Sequence, residues 1–196
     1  MKRSLIKHQF IGLITVISLF VFKTANAQVK GWYLAGSYPA GYSIGVENSA
    51  ERNGHVAFIK SVKLIKEGQF GTIMQSFIPQ DYLGKRVKLT GYIKADNVKG
   101  WTGMWFRIDG EPRANCLGFD NMFNRQIKGT TAWKKYEIVL DVPLNSKYIA
   151  YGVLLSGRGN VWIDDLRFEV VSKDTPTTNM ELDKNKPQNT NFEEDK

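Results

Sequence analysis

The chain has 196 residues, with 27 Lys and Arg against 19 Asp and Glu, a formal net charge of +8, and a single cysteine, Cys116. One cysteine excludes an internal disulfide framework, so the core must hold by packing; about 140 folded residues suffice for that. The basicity does not by itself point to nucleic acid: Lys2, Arg3, Lys7 and Lys23 lie in an N-terminal leader without acids, and 23 basic against 19 acidic residues follow it, a net +4.

Residues 1–27 read as a cleavable secretory signal peptide. Lys2, Arg3 and Lys7 form a positive start, the apolar run from Phe10 to Phe22 follows, and Ala25-Asn26-Ala27 is a small-x-small cleavage site. The run is too short to span a bilayer, which takes roughly 20 apolar residues, and no cysteine stands at the cleavage point to carry a lipid. The mature protein is therefore expected outside the cytoplasm, periplasmic or secreted, with no stable membrane anchor. An uncleaved anchor is the alternative.

From the leader onward the pattern is β. Short runs rich in Val, Ile, Tyr, Phe and Trp alternate with Gly, Asn, Pro and Asp, which predicts strands over 32–35, 42–46, 56–61, 71–77, 85–95, 101–109, 132–142, 148–156 and 161–171. Val87, Leu89, Gly91, Ile93 and Ala95 fall on one face of their strand and Arg86, Lys88, Thr90, Tyr92 and Lys94 on the other, the mark of a half-buried strand. No helical stripe of useful length occurs. So many strands in one domain, residues 28–172, predict an all-β fold: a two-sheet antiparallel β-sandwich, of jelly-roll rather than immunoglobulin type. Residues 173–196, rich in Asn, Lys, Asp, Glu, Thr and Pro, are expected to be a disordered polar tail.

One strand carries most of the chemistry. In 101–109, Thr102, Met104, Phe106 and Ile108 form an apolar face and Trp101, Gly103, Trp105, Arg107 and Asp109 the opposite one. Indole faces stack on the C–H faces of sugar rings, and Arg and Asp hydrogen-bond hydroxyls in fixed directions, so this face has the makings of a groove; burial of Trp105 in an ordinary core is the competing reading. Gln75, Asp120, Asn121 and Trp133 complete the expected contact set. Asp164 shares parity with Trp162, Leu166, Phe168 and Val170 and is expected to point inward, where a carboxylate needs a cation or several donors. A structural calcium would serve, and so would backbone amides.

Evidence of catalysis is thin. His55 stands alone in an Asn-Gly-His turn, there is no nucleophile elbow or zinc-protease motif, and nothing in the spacing of Asp109, Glu111, Asp120 and Glu137 singles out an acid pair. No catalytic residue is assigned.

Gln75, Tyr82-Leu-Gly-Lys-Arg-Val87, Trp101-x-Gly-Met-Trp-x-Arg107, Phe119-Asp-Asn-Met122, Gly129-Thr-Thr-x-Trp133, Val139-Leu-Asp-Val-Pro143, Gly152-Val-Leu-Leu155 and Val161-Trp-x-Asp-Asp165 form an ordered series. The series resembles a bacterial jelly-roll domain of the galactose-binding-like, carbohydrate-binding-module type, which occurs alone in exported proteins and also joined to helix-turn-helix regulators. The resemblance covers most of 32–171. It implies a two-sheet jelly roll with its ligand on a concave face. It also implies a calcium near the first and last strands, where Asp164-Asp165 fits and Glu47 stands nearest to the first-strand glutamate. This chain has no helix-turn-helix pattern, so nucleic acid is not expected as a partner. We read it as an exported non-catalytic module binding a carbohydrate or similar polar ligand through Trp101, Trp105 and Arg107. The alternatives are a structural or protein-interaction module of the cell envelope, and a small glycan hydrolase with two acids about 5 to 10 Å apart. Ligand identity and oligomeric state are not encoded in any motif.

Overall fold

β-Branched and aromatic residues suit a pleated, half-buried surface, and the chain spends them on strands almost throughout. The computed structural model describes residues 29–112 and 115–179. Its strands are β1 (Tyr33–Gly36), β2 (Tyr42–Ser49), β3 (Gly54–Ser61), β4 (Phe70–Phe77), β5 (Arg86–Asp109), β6 (Cys116–Asp120), β7 (Ile127–Asp141), β8 (Tyr148–Ser156) and β9 (Asn160–Val171). The expected leader lies outside the described residues. Among those described, the helices are four 3-10 turns of three residues each, and no helix is long and apolar enough to cross a membrane.

The 24 residues of β5 serve two layers. Its first half pairs with β7 and β9, its second with β6 and β8, every pair antiparallel. Divided at that point, the strand order gives a first sheet β7-β5-β9-β3-β2 and a second sheet β6-β5-β8-β4-β1. The two form the expected β-sandwich. The sequence pattern splits β5 into two strands and passes over β6, five residues whose Gly118 and Asp120 interrupt the apolar run.

A change of parity lets one strand feed both layers. Val87, Leu89, Ile93 and Ala95 are fully buried in the first half, and Thr102, Met104, Phe106 and Ile108 in the second, so the inward positions pass from odd to even. Asn97, at φ 53°, and the register shifts flanking it accomplish the inversion, as expected of bulges. Gly100 follows at the corner, where a Cβ would collide with the carbonyl oxygen of Ser156. Ile59, Ile73, Ile138, Leu140, Ile149, Val153 and Leu155 close the core from the other strands, each contributing on the order of 1.5–3 kcal/mol by burial.

A second inversion lies in β9 and overturns one expectation. Val161 and Ile163 are buried, but Asp165 adopts φ 54° and the pairing with β5 slips, so Leu166 and Phe168 take over the inward positions. Asp164 therefore shares the outer face with Trp162 and does not point inward.

The tail also departs from expectation. Residues 173–179 run along the flank of the sandwich. Arg86 Nη1 donates to the carbonyls of Lys173 and Thr175, and Thr178 N–H donates to Val139 O at 2.8 Å. Thr178 Oγ1 accepts from Val139 N–H at 3.0 Å, and Asn179 Oδ1 accepts from Phe119 N–H at 3.1 Å. Polar composition alone predicted disorder from residue 173, whereas unpaired backbone groups on β7 and β6 supply partners for a polar strap. The remainder of the expected tail lies outside the described residues.

Candidate functional site

Strand register assembles the site on the outer face of the second sheet. β4, β8 and β5 align Phe70–Ser156–Trp101, Thr72–Leu154–Gly103 and Met74–Gly152–Trp105 in three rows, while Arg107 stands opposite Phe119 of β6. These rows floor a cleft of about 530 Å³ lined by Phe70, Thr72, Met74, Trp101, Trp105, Arg107, Phe119, Asn121, Leu154 and Ser156, with Ala35, Gly36 and Gly68 at one end. Aromatic and aliphatic walls with a few placed polar groups are the usual make-up of a ligand site.

Trp105 is packed into that floor. Only 9% of it is exposed, and its Nε1 donates to Thr72 Oγ1 at 2.8 Å. Thr72 is two strands away, and neighbouring strands lie about 4.8 Å apart, so the indole crosses β8 near Gly152, where no side chain obstructs it. The Thr72 hydroxyl donates onward to Val153 O at 3.0 Å. Trp101 is half-buried at the rim and makes a T-shaped contact with Phe123, centroids 5.6 Å apart. Trp105 is thus buried without belonging to the core between the sheets.

Arg107 is oriented from behind. Asp109 accepts from its Nε at 2.9 and 3.0 Å and pairs with Nη2 at 2.8 Å. The Asp109 side chain is 12% exposed and that of Arg107 34%, so the guanidinium is the outward end of the pair. Asn121 Oδ1 accepts from Phe123 N–H at 3.0 Å, which leaves its amide nitrogen as the donor side.

Trp101, Trp105, Arg107 and Asn121 are therefore together in one cleft, while Gln75, Asp120 and Trp133 are elsewhere. Gln75 lies on the inner side of β4, where Tyr151 OH donates to its Oε1 at 2.5 Å. It belongs to an aromatic cluster in which Tyr151 meets Trp32 at 5.3 Å and Phe168 at 4.8 Å; burial pushes the Tyr151 phenol up. Asp120 is fully buried and bound by Arg125 at 2.6 and 3.1 Å and by Met122 N–H at 2.7 Å. It pins the β6–β7 turn and has no access to the cleft.

Trp133 belongs to the first sheet. It lines a smaller groove of about 250 Å³ with Trp162, Lys94, Glu47 and Glu51. Trp162 Nε1 donates to Glu47 at 2.5 Å and Lys60 pairs with Glu47 at 2.6 Å. Burial pushes Glu47 up, but these bonds and the Lys60 charge outweigh it and hold the carboxyl below its ordinary range. Asp164, expected as a calcium ligand, instead accepts from Arg52 Nε at 2.7 Å. Among the described residues no group of three or more His, Cys, Asp and Glu could hold a metal. None of the cleft-lining residues is acidic. His55 is exposed and Cys116 half-buried.

Phe70, Thr72, Met74, Phe119, Leu154 and Ser156 line the cleft without being announced by the sequence. β4 is apolar on both faces, which leaves its cleft side unmarked, and Phe119 lies on the unrecognised β6.

No family model matches the chain. It is 42% identical over 172 residues to a Bacillus subtilis (strain 168) protein named "Uncharacterized HTH-type transcriptional regulator YbfP", across 86% of this chain and 58% of that protein. The chain thus spans little more than half the length of this relative. Among solved structures it is similar to the CBM22-1 xylan-binding domain of Paenibacillus barcinonensis Xyn10C, with TM-score 0.51 and 15% identity over 74% of this chain and 89% of that one. The tandem CBM22-1–CBM22-2 domain of the same protein gives TM-score 0.52 and 14% identity over 78% and 45%. The enzymatically active domain of bacteriophage CBA120 tailspike protein 4 gives TM-score 0.51 and 14% identity over 72% and 20%. At such identities the likeness is one of fold: the chain has the jelly-roll β-sandwich of carbohydrate-binding modules.

Proposed function

We propose that this chain is an exported, non-catalytic module that binds a saccharide in the cleft on its second sheet. One observation carries the reading: Trp101, Trp105 and Phe119 share a single cleft with Arg107 and Asn121, joining flat apolar surface to directional donors. The absence of an acid among the cleft-lining residues supports binding over glycoside hydrolysis, which takes a pair of carboxyl groups. The sandwich it shares with xylan-binding modules supports the same reading. Export rests on the leader sequence. The regulator name of the Bacillus relative is not carried over, because the described residues contain no helix longer than three residues.

The test is affinity electrophoresis and calorimetry of the mature chain against a panel of polysaccharides, with Trp101→Ala beside the parent. Trp101 stands at the rim, so its truncation spares the fold. Binding by the parent and its loss in the variant are expected. Unchanged binding in the variant would remove the cleft, and no binding to any glycan would favour an interaction module of the envelope.

A further inference from the structure

Resting on the saccharide reading above, we propose that the cleft is specific for an acidic saccharide, one whose sugar units carry carboxylates. Arg107 is the ionised residue among those lining the cleft, and no Asp or Glu stands beside it there. Its counter-ion does not cancel it at the surface: Asp109 lies behind at 12% side-chain exposure against 34% for Arg107. The ion pair therefore presents its cationic end to the ligand. A guanidinium carries five N–H donors and can serve a buried carboxylate and a ligand together. Its planar fork matches a carboxylate better than a hydroxyl, and partial burial reduces competition from water.

The remaining polar groups point the same way. Trp105 Nε1 is spent on Thr72, and Asn121 uses its oxygen internally, so it offers a donor. The cleft is thus supplied with donors and lacks a charged acceptor. Arg107 is two residues along β5 from Trp105 and opposite Phe119, so a sugar ring stacked on the aromatic floor brings its exocyclic carboxylate to the guanidinium. The groove on the first sheet differs, with Glu47 and Glu51 beside Lys94.

Calorimetry at fixed ionic strength tests this with polygalacturonate and glucuronoxylan, each beside its carboxyl-reduced counterpart, and with neutral xylan. The acidic forms should bind about ten-fold or more tightly than the reduced forms, the scale of one charge-assisted hydrogen bond. Arg107→Gln should bind both forms equally, and Asp109→Asn should keep or widen the preference. If Arg107→Gln fails to fold because Asp109 is stranded, Arg107→Gln with Asp109→Asn gives the same readout without the buried charge. Equal binding of acidic and reduced forms by the parent overturns the acidic class and leaves the saccharide reading standing. A preference that survives loss of Arg107 overturns the assignment to this cleft. No binding to any of these glycans overturns the acidic class, and the saccharide reading falls with it when the wider polysaccharide panel is unbound as well.

Discussion

Trp105 and Thr72 lie on strands that do not pair, yet the indole N–H of one donates to the hydroxyl of the other at 2.8 Å. The bond fixes one of the two tryptophans of the cleft. It also makes Thr72, a residue of no evident chemistry, a positioning residue for the site.

Thr72→Val removes the acceptor and leaves a buried N–H unpaired. The expected cost is about 1–3 kcal/mol, read from urea denaturation, together with weaker glycan binding and altered near-ultraviolet dichroism. Thr72→Ser, which keeps the hydroxyl, should restore most of the binding.

Asp120 and Arg125 form a pair in which the carboxylate has no exposed surface. Arg125→Ala strands a buried charge, and the expected loss is about 3–5 kcal/mol by chemical denaturation. Adding Asp120→Asn should recover part of that loss, because the stranded charge is then gone. Saccharide binding by whatever fraction remains folded should change little.

Gly100→Ala should lower stability by about 1–3 kcal/mol, since the added methyl meets the Ser156 carbonyl, a backbone atom that cannot swing aside. Thermal unfolding measures it. Gly68→Ala makes a useful comparison, because nothing lies within 4 Å of a Cβ there and only its positive φ of 76° opposes the change.

The strap should loosen in acid. The Arg86 hydrogen bond, and then Lys173, hold the Asp141 carboxyl below its ordinary range, against the opposing effect of burial. A depressed folded-state pKa stabilises above the unfolded value, near 3.9, and that contribution is lost as pH falls through the folded value. The protection of the Thr178 amide against hydrogen exchange, taken relative to the intrinsic rate at each pH, should fall below about pH 4, and Asp141→Asn should show the lower protection already at neutral pH.

The sequence made much of this legible, and its failures have local causes. Alternation marked Thr102, Met104, Phe106 and Ile108 as one face, and all four are fully buried. That Trp101, Trp105 and Arg107 line one cleft is legible because they share the other face of a single strand, which needs only a period of two. Asp164 was misplaced because a period of two fails at a bulge, and the bulge at Asp165 shows in the sequence as nothing more than a second aspartate. Nothing local in the sequence ties Asp120 to Arg125, which reaches it through the turn at Met122, a residue at φ 63°. Gln75 could not be assigned to a face of a strand apolar on both. The bond from Trp105 to Thr72 depends on a register across three strands, which no local pattern encodes.

One peptide segment, β5, is structural timber for both layers. Under the proposed saccharide-binding function, a load applied through a glycan on the second sheet would travel along a continuous covalent backbone into the first, without having to cross an interface of side chains. Peeling either layer away would drag on the one strand that both are built around.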